Sequence, residues 1–136
     1  MIDNETLGLF DNEGNVLFRH KPLWTEFTQF KRVKENCNIV KEADDDFPKN
    51  IDNKANIYCL DDKFKLKWTI EAPFENDSFP NQIIWDKKIE RLQAPSGHLI
   101  LETTENTDTF TCSSWKGITV TVDYETGKII SSEFTK

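Results

Sequence analysis

The chain has 136 residues, 37% of them hydrophobic and 30% charged, with ten Phe, four Trp and two Tyr. That length suits one domain with a core of its own, and the supply of large apolar side chains excludes a wholly disordered chain. A net charge of −7 with a pI near 4.8 opposes approach to nucleic-acid phosphates and anionic membrane surfaces, and would draw in a basic partner instead.

Strand signals dominate the chain. Short apolar runs at 7–10 and 15–19 flank a polar turn. The segment 24–35, WTEFTQFKRVKE, spaces Trp24, Phe27, Phe30 and Val33 at about helical intervals and is read as the one helix. A strand is the alternative there, because Trp24-Thr25-Glu26 also alternates. Residues 42–54, EADDDFPKNIDNK, have no period and contain Pro48, so they read as an exposed loop. A strand at 56–60 follows, then Phe64, Leu66, Trp68 and Ile70 alternate with Lys63, Lys65, Lys67 and Thr69, which predicts one core face and one solvent face. Residues 71–81, EAPFENDSFPN, carry two prolines and read as a second exposed loop. Further strands are predicted at 82–85, from His98 through Leu99 and Leu101 after the APSG turn at 94–97, at 108–113, at 118–124 where Ile118, Val120, Val122 and Tyr124 alternate with polar residues, and at 129–134. The expected fold is mainly β, a single antiparallel domain over 1–136 of about eight to ten strands built from hairpins, with at most one or two short helices. A sandwich, a curved sheet or a few blade-like hairpins packed together would satisfy the pattern, whereas a complete propeller needs more chain.

A weak internal repeat emerges when the turns are aligned: LGLFDNEGNVLFRH at 7–20, NIYCLDDKFKLKWTI at 56–70 and VTVDYETGKIISS at 120–132. Asp11, Asp61 and Asp123 stand where a side-chain carboxylate can accept from nearby backbone N–H groups and fix a hairpin. Gly14 and Gly127 suit the positive φ of tight hairpins, while Lys63-Phe64 predicts a different turn geometry in the second copy.

Chemical motifs are sparse. Gly127-Lys128 lacks the further glycines and the following helix of a phosphate-binding loop, so it reads as a turn. His20 and His98, the two histidines, lie far apart in sequence, and no cysteine or histidine has a zinc-ligand spacing. Asp44-Asp45-Asp46 and Asp11-Asn12-Glu13-Gly14 do not follow a calcium-loop pattern, and no serine sits in a nucleophile motif. No cofactor and no metal is expected. Three cysteines leave one unpaired in any disulfide scheme, and the acidic start MIDNETLGLF is unlike a secretory leader, so a reducing cytoplasm is the expected compartment.

What remains is binding. Residues 42–62 hold seven acids against two lysines, a local balance of −5. Two loops combine acids with aromatics: Glu42, Asp44, Asp45, Asp46 and Phe47 in one, and Glu71, Phe74, Glu75, Asp77 and Phe79 in the other. Carboxylates at an interface rim steer a basic partner and aromatics provide desolvated anchors, so these ten residues are the candidate binding set.

The units YCLDDKFKLKW and SSWKGITVTVDYETGKI resemble pieces of small β-rich bacterial immunity proteins, those encoded beside contact-dependent growth inhibition and other polymorphic toxins. Similar strand-Asp-turn-Gly-Lys-strand units occur in β-propeller blades. The first resemblance implies a non-enzymatic protein that binds a cognate toxin domain one to one, commonly a basic nuclease and an RNase ahead of a DNase, and covers its active site. Two other classes stand beside it: a small β-fold enzyme using His20 or His98 with a carboxylate, and an adaptor module from a β-repeat assembly.

Overall fold

The computed structural model describes residues 6–45, 47, 54–73 and 77–134, with the backbone alone at 87–91, 100 and 102–106. Ten strands form three antiparallel sheets, and no helix occurs among the described residues. The first sheet is the hairpin of β1 (Leu7–Phe10) and β2 (Val16–His20). The second is a meander of β3 (Phe27–Lys34), β4 (Cys37–Glu42), β5 (Ile57–Leu60) and β6 (Leu66–Thr69). The third is a meander of β7 (Ile84–Gln93), β8 (Leu99–Ser113), β9 (Ile118–Asp123) and β10 (Ile129–Phe134). Every pairing joins strands adjacent in sequence, as the predicted hairpin construction requires.

The sheets stack as layers with the β3–β6 meander in the middle. Cys37, Ile39, Ile57, Cys59 and Trp68 on one of its faces meet Phe110, Cys112, Val120 and Val122 of the third sheet, with Ile70, Phe79, Ile83 and Tyr124 closing the same cluster. The Trp68 and Phe110 rings stack at 6.3 Å and Phe110 and Tyr124 at 5.7 Å. On the opposite face, Val40, Tyr58 and Leu60 pack with Phe27 and with Leu7 from the hairpin. Each large side chain so buried contributes about 1.5–3 kcal/mol. The middle sheet therefore has two dry faces, and all six residues of β4 and all four of β5 are buried.

The aspartate turns form as predicted. Asp11 Oδ1 accepts from the N–H groups of Glu13 and Asn15, Asp61 Oδ1 from those of Lys63 and Lys65, and Asp123 Oδ1 from that of Glu125. The expected departure in the second copy is corrected. The backbone bonds Phe64 N–H to Asp61 O and Asp61 N–H to Lys65 O match those of Gly14 and Asp11, and Phe64 takes the same left-handed conformation, φ 59° against 86°. The third copy is the one that differs, being one residue longer, with Gly127 N–H on Asp123 O.

Two other expectations are overturned. Segment 24–35 is not a helix but a loop followed by β3. The register shift at Phe27/Gln29 inserts a residue and so puts Phe27 and Phe30 on one face at the three-residue spacing that mimics a helix, whereas Phe30 and Val33 pack against opposite faces of the sheet. Leu66 is exposed rather than core: the shift opposite Cys59/Leu60 pairs Leu66 with Leu60 and Trp68 with Cys59, residues that face opposite sides of the sheet.

Candidate functional site

One edge of the layers gathers four connections, β2–β3, β4–β5, β6–β7 and β8–β9, into a rim. Ala43 N–H donates to Glu26 O and Glu42 N–H to Asn56 O, which ties the end of β4 to the β2–β3 loop on one side and to the residue preceding β5 on the other. The Asn56 side chain, wholly buried, donates to Glu42 O and Phe79 O and accepts from Phe79 N–H at 2.8 Å. Trp115 N–H then donates to Ser78 O at 2.7 Å, bringing in the β8–β9 turn. The two acidic loops singled out in the sequence are therefore neighbours, joined through Asn56.

Their acids do different work, however. Glu42 is wholly buried: Oε2 accepts from Leu23 N–H at 2.7 Å and from the Tyr58 hydroxyl at 2.5 Å, while Oε1 accepts from Trp24 N–H at 3.0 Å and Thr25 N–H at 2.8 Å. A carboxylate receiving three consecutive amides is the anchor of the β2–β3 loop. Because the Tyr58 phenol gives its proton to Glu42, the His20 Nε2 that sits 2.7 Å from the phenol oxygen must donate to it, which fixes that tautomer. Burial, reinforced by the bond to Glu42 and its charge, pushes the Tyr58 phenol far above its ordinary value. Burial pulls the His20 imidazole below its ordinary value, against the charge of Glu42.

Asp77 is likewise internal. Its Oδ1 accepts from Ser78 N–H at 3.0 Å and Lys116 N–H at 3.2 Å, clamping the 77–80 segment to the β8–β9 turn, and its buried Oδ2 has no hydrogen-bond partner among the described residues. Phe79 is wholly buried in the inter-sheet core. Glu42, Asp77 and Phe79 are thus corrected from candidate surface contacts to structural residues. Asp61 and Asp62, counted in the acidic stretch, belong to the β5–β6 turn, where Asp62 makes a two-pronged ion pair with Arg32.

On the rim itself, Asp44 is half-buried and Asp45 exposed, with the Phe47 ring tilted against Trp24 at 5.8 Å. Glu71 is exposed, its N–H on Gly127 O of the β9–β10 turn rather than on the rim. Asp46, Phe74 and Glu75 lie outside the described residues. Two open grooves flank the Asp44-Asp45 segment. One of about 290 Å³ is lined by Asp44, Lys54, Ser78 and Trp115, and one of about 280 Å³ by Trp24, Thr25, Glu26 and Asp45. The buried ammonium of Lys41 lies beneath, on Pro80 O at 3.3 Å, its pKa lowered by burial against the pull of Asp44.

No family model matches the chain, nor does any curated protein or solved structure. The functional reading therefore stands on the rim alone.

Trp24, Glu26, Lys54, Ser78 and Trp115 are groove residues that the sequence reading passed over. Trp115 is 73% exposed, the most exposed of the described large hydrophobics. The signal for it was present: in SSWKG, a tryptophan occupies a tight turn where polar residues are the rule. His20 lies between the hairpin and the middle sheet, and His98 is exposed in the β7–β8 turn, so neither lines either groove. Among the described residues no group of three His, Cys, Asp or Glu could hold a metal ion, and no helix is long and apolar enough to cross a membrane.

Proposed function

We propose that the protein is a non-catalytic inhibitor of the immunity type, acting in the cytoplasm, that captures a basic toxin domain, a nuclease, through the rim. The observation that carries this reading is Trp115: a largely bare indole on a turn whose N–H groups donate to Ser78 O and to the Asp77 carboxylate, across a groove from Asp44. Tryptophan is the residue type most enriched among interface hot spots, and a rigid turn presents it with little ordering cost on binding. Asp44, Asp45 and Glu26 add carboxylates that would steer a cationic surface, and Trp24 with Phe47 forms a second aromatic ledge.

The test is recovery of a partner from the source cell with tagged protein, followed by affinity measurements on variants. Trp115→Ala should fold normally and weaken the complex by about 2 kcal/mol, roughly thirty-fold in Kd. Asp44→Lys with Asp45→Lys should slow association and flatten its salt dependence. Full affinity in both variants would remove the rim from the interface.

A second reading rests on a different surface. Phe10, Leu17 and Phe18 of the hairpin are exposed, as are Ile130 and Phe134 of β10, which would suit an adaptor module whose outer layers meet further β-units. Sedimentation at increasing concentration separates the two, since the adaptor self-associates or joins a β-rich partner and the inhibitor stays monomeric until toxin is added.

A further inference from the structure

Two of the three buried thiols touch. Cys37 at the start of β4 and Cys59 in β5 project from neighbouring strands into the same core face, with Sγ atoms 3.6 Å apart. Cys112 lies across the core on the third sheet. In register Cys59 stands opposite Ile39, so Cys37 is its diagonal neighbour, a relation in which the backbone is ordinarily too wide for a relaxed disulfide. Both positions have local give. Cys37 flanks the register shift between β3 and β4, and Cys59 flanks the shift between β5 and β6. Bulged strands can bend and twist without loss of the ladder on either side.

We propose that Cys37 and Cys59 are an oxidisable pair that closes to a disulfide across β4 and β5, with a peroxide as electron acceptor. The Cys37 thiolate attacks one peroxide oxygen, the O–O bond breaks and hydroxide leaves, which makes Cys37 a sulfenic acid. The Cys59 sulfur then attacks the Cys37 sulfur, its proton and the departing hydroxyl leave as water, and the S–S bond forms. Overall two thiols and one hydrogen peroxide give one disulfide and two waters.

The two sulfurs are unequal in the way this sequence of steps needs. The Cys59 S–H points at Cys37 and holds that thiol below its ordinary value, helped by the ammonium groups of Lys67 and Lys34 and opposed by burial. The same contact, with burial, pushes Cys59 up, and burial, with the charge of Asp86 and against that of Lys41, pushes Cys112 up. Cys37 is therefore the nucleophile and Cys59 the resolving thiol. Closing from a diagonal position leaves strain, which makes the bond readily reducible and the modification reversible. The bond would also close the β4–β5 hairpin from its far end, enclosing the loop that carries Asp44 and Asp45.

The experiment oxidises reduced, folded protein with hydrogen peroxide, alkylates it in denaturant, and reads intact mass and a peptide map. The expected product is a monomer lighter by two hydrogens before alkylation, with only Cys112 alkylated and the Cys37 and Cys59 peptides linked. Cys112→Ser should give the same link, and Cys59→Ser should leave a sulfenic acid at Cys37 that dimedone traps. Three alkylated cysteines, under peroxide that fully oxidises free dithiothreitol, would overturn the proposal. So would a link through Cys112.

Discussion

Replacing Glu42 by glutamine changes one oxygen to an NH2 and tests whether the buried carboxylate holds the β2–β3 loop. The amide oxygen can take the place of Oε1 and keep the N–H groups of Trp24 and Thr25, now at 3.0 and 2.8 Å from a neutral acceptor. The NH2 then faces Leu23 N–H and the Tyr58 hydroxyl. Tyr58 can rotate its proton away, but Leu23 N–H cannot, and an orphaned buried donor costs about 1–3 kcal/mol. Loss of charge assistance on the two surviving bonds removes about 1 kcal/mol each. Relief of the buried charge offsets part of this, so the net destabilisation should be about 2–4 kcal/mol. In urea, with a slope of about 2 kcal/mol per molar, the midpoint should fall by roughly 1–2 M. Tryptophan fluorescence should report an early shift as Trp24 leaves Tyr58 and Phe47, with which its ring is now in contact. A change under about 0.5 kcal/mol, typical of an exposed substitution, would refute the anchoring role.

The chain's only two tyrosines are both buried, and burial raises Tyr124 to about 12 and Tyr58 further. Since the folded pKa lies above the unfolded value, this stability is intact below about pH 10 and declines as pH rises beyond it. Tyrosinate absorbance should therefore appear together with alkaline unfolding; reversible ionisation of one tyrosine near pH 10 with near-UV circular dichroism intact would contradict the packing. Gly127→Ala should destabilise by about 2–4 kcal/mol, because φ is +71° and the new methyl would run into the Trp68 ring. A melting curve like that of wild type would mean that the β9–β10 turn can back away from Trp68.

The hairpin logic was legible because it is local: Asp11, Asp61 and Asp123 each act on amides two to four residues away, so the sequence alone carries the signal. β4 was not legible. CNIVKE has no alternation because both its faces are covered, and its polar members are buried on partners distant in sequence, Asn38 on Leu60 O and Glu42 on the 23–25 amides. The same blindness misassigned Asp77 and Phe79, which sit among prolines in a segment without regular structure yet close the core. Long strands β7 and β8 were read only at their ends, since IWDKKIERLQ and LILETTENTDTFTCS carry charges and threonines where a core strand would be apolar. For the candidate site, composition singled out two loops that the fold makes neighbours, but not which of their acids point outward. That depends on Asn56, Tyr58 and the β2–β3 amides, which only the fold brings together.

The smallest layer has the widest reach. Hairpin β1–β2 is two strands, yet through Leu7 and His20 it helps to shield Val40, Tyr58 and Leu60 from water. Without it the middle meander would become an outer sheet with an apolar face and unmatched aromatics, the kind of surface on which chains adhere to one another. The cover on this face comes from strands that are made before the sheet they cover. A nascent β3–β6 unit emerges to find its cover already waiting, so the order of synthesis itself guards against aggregation.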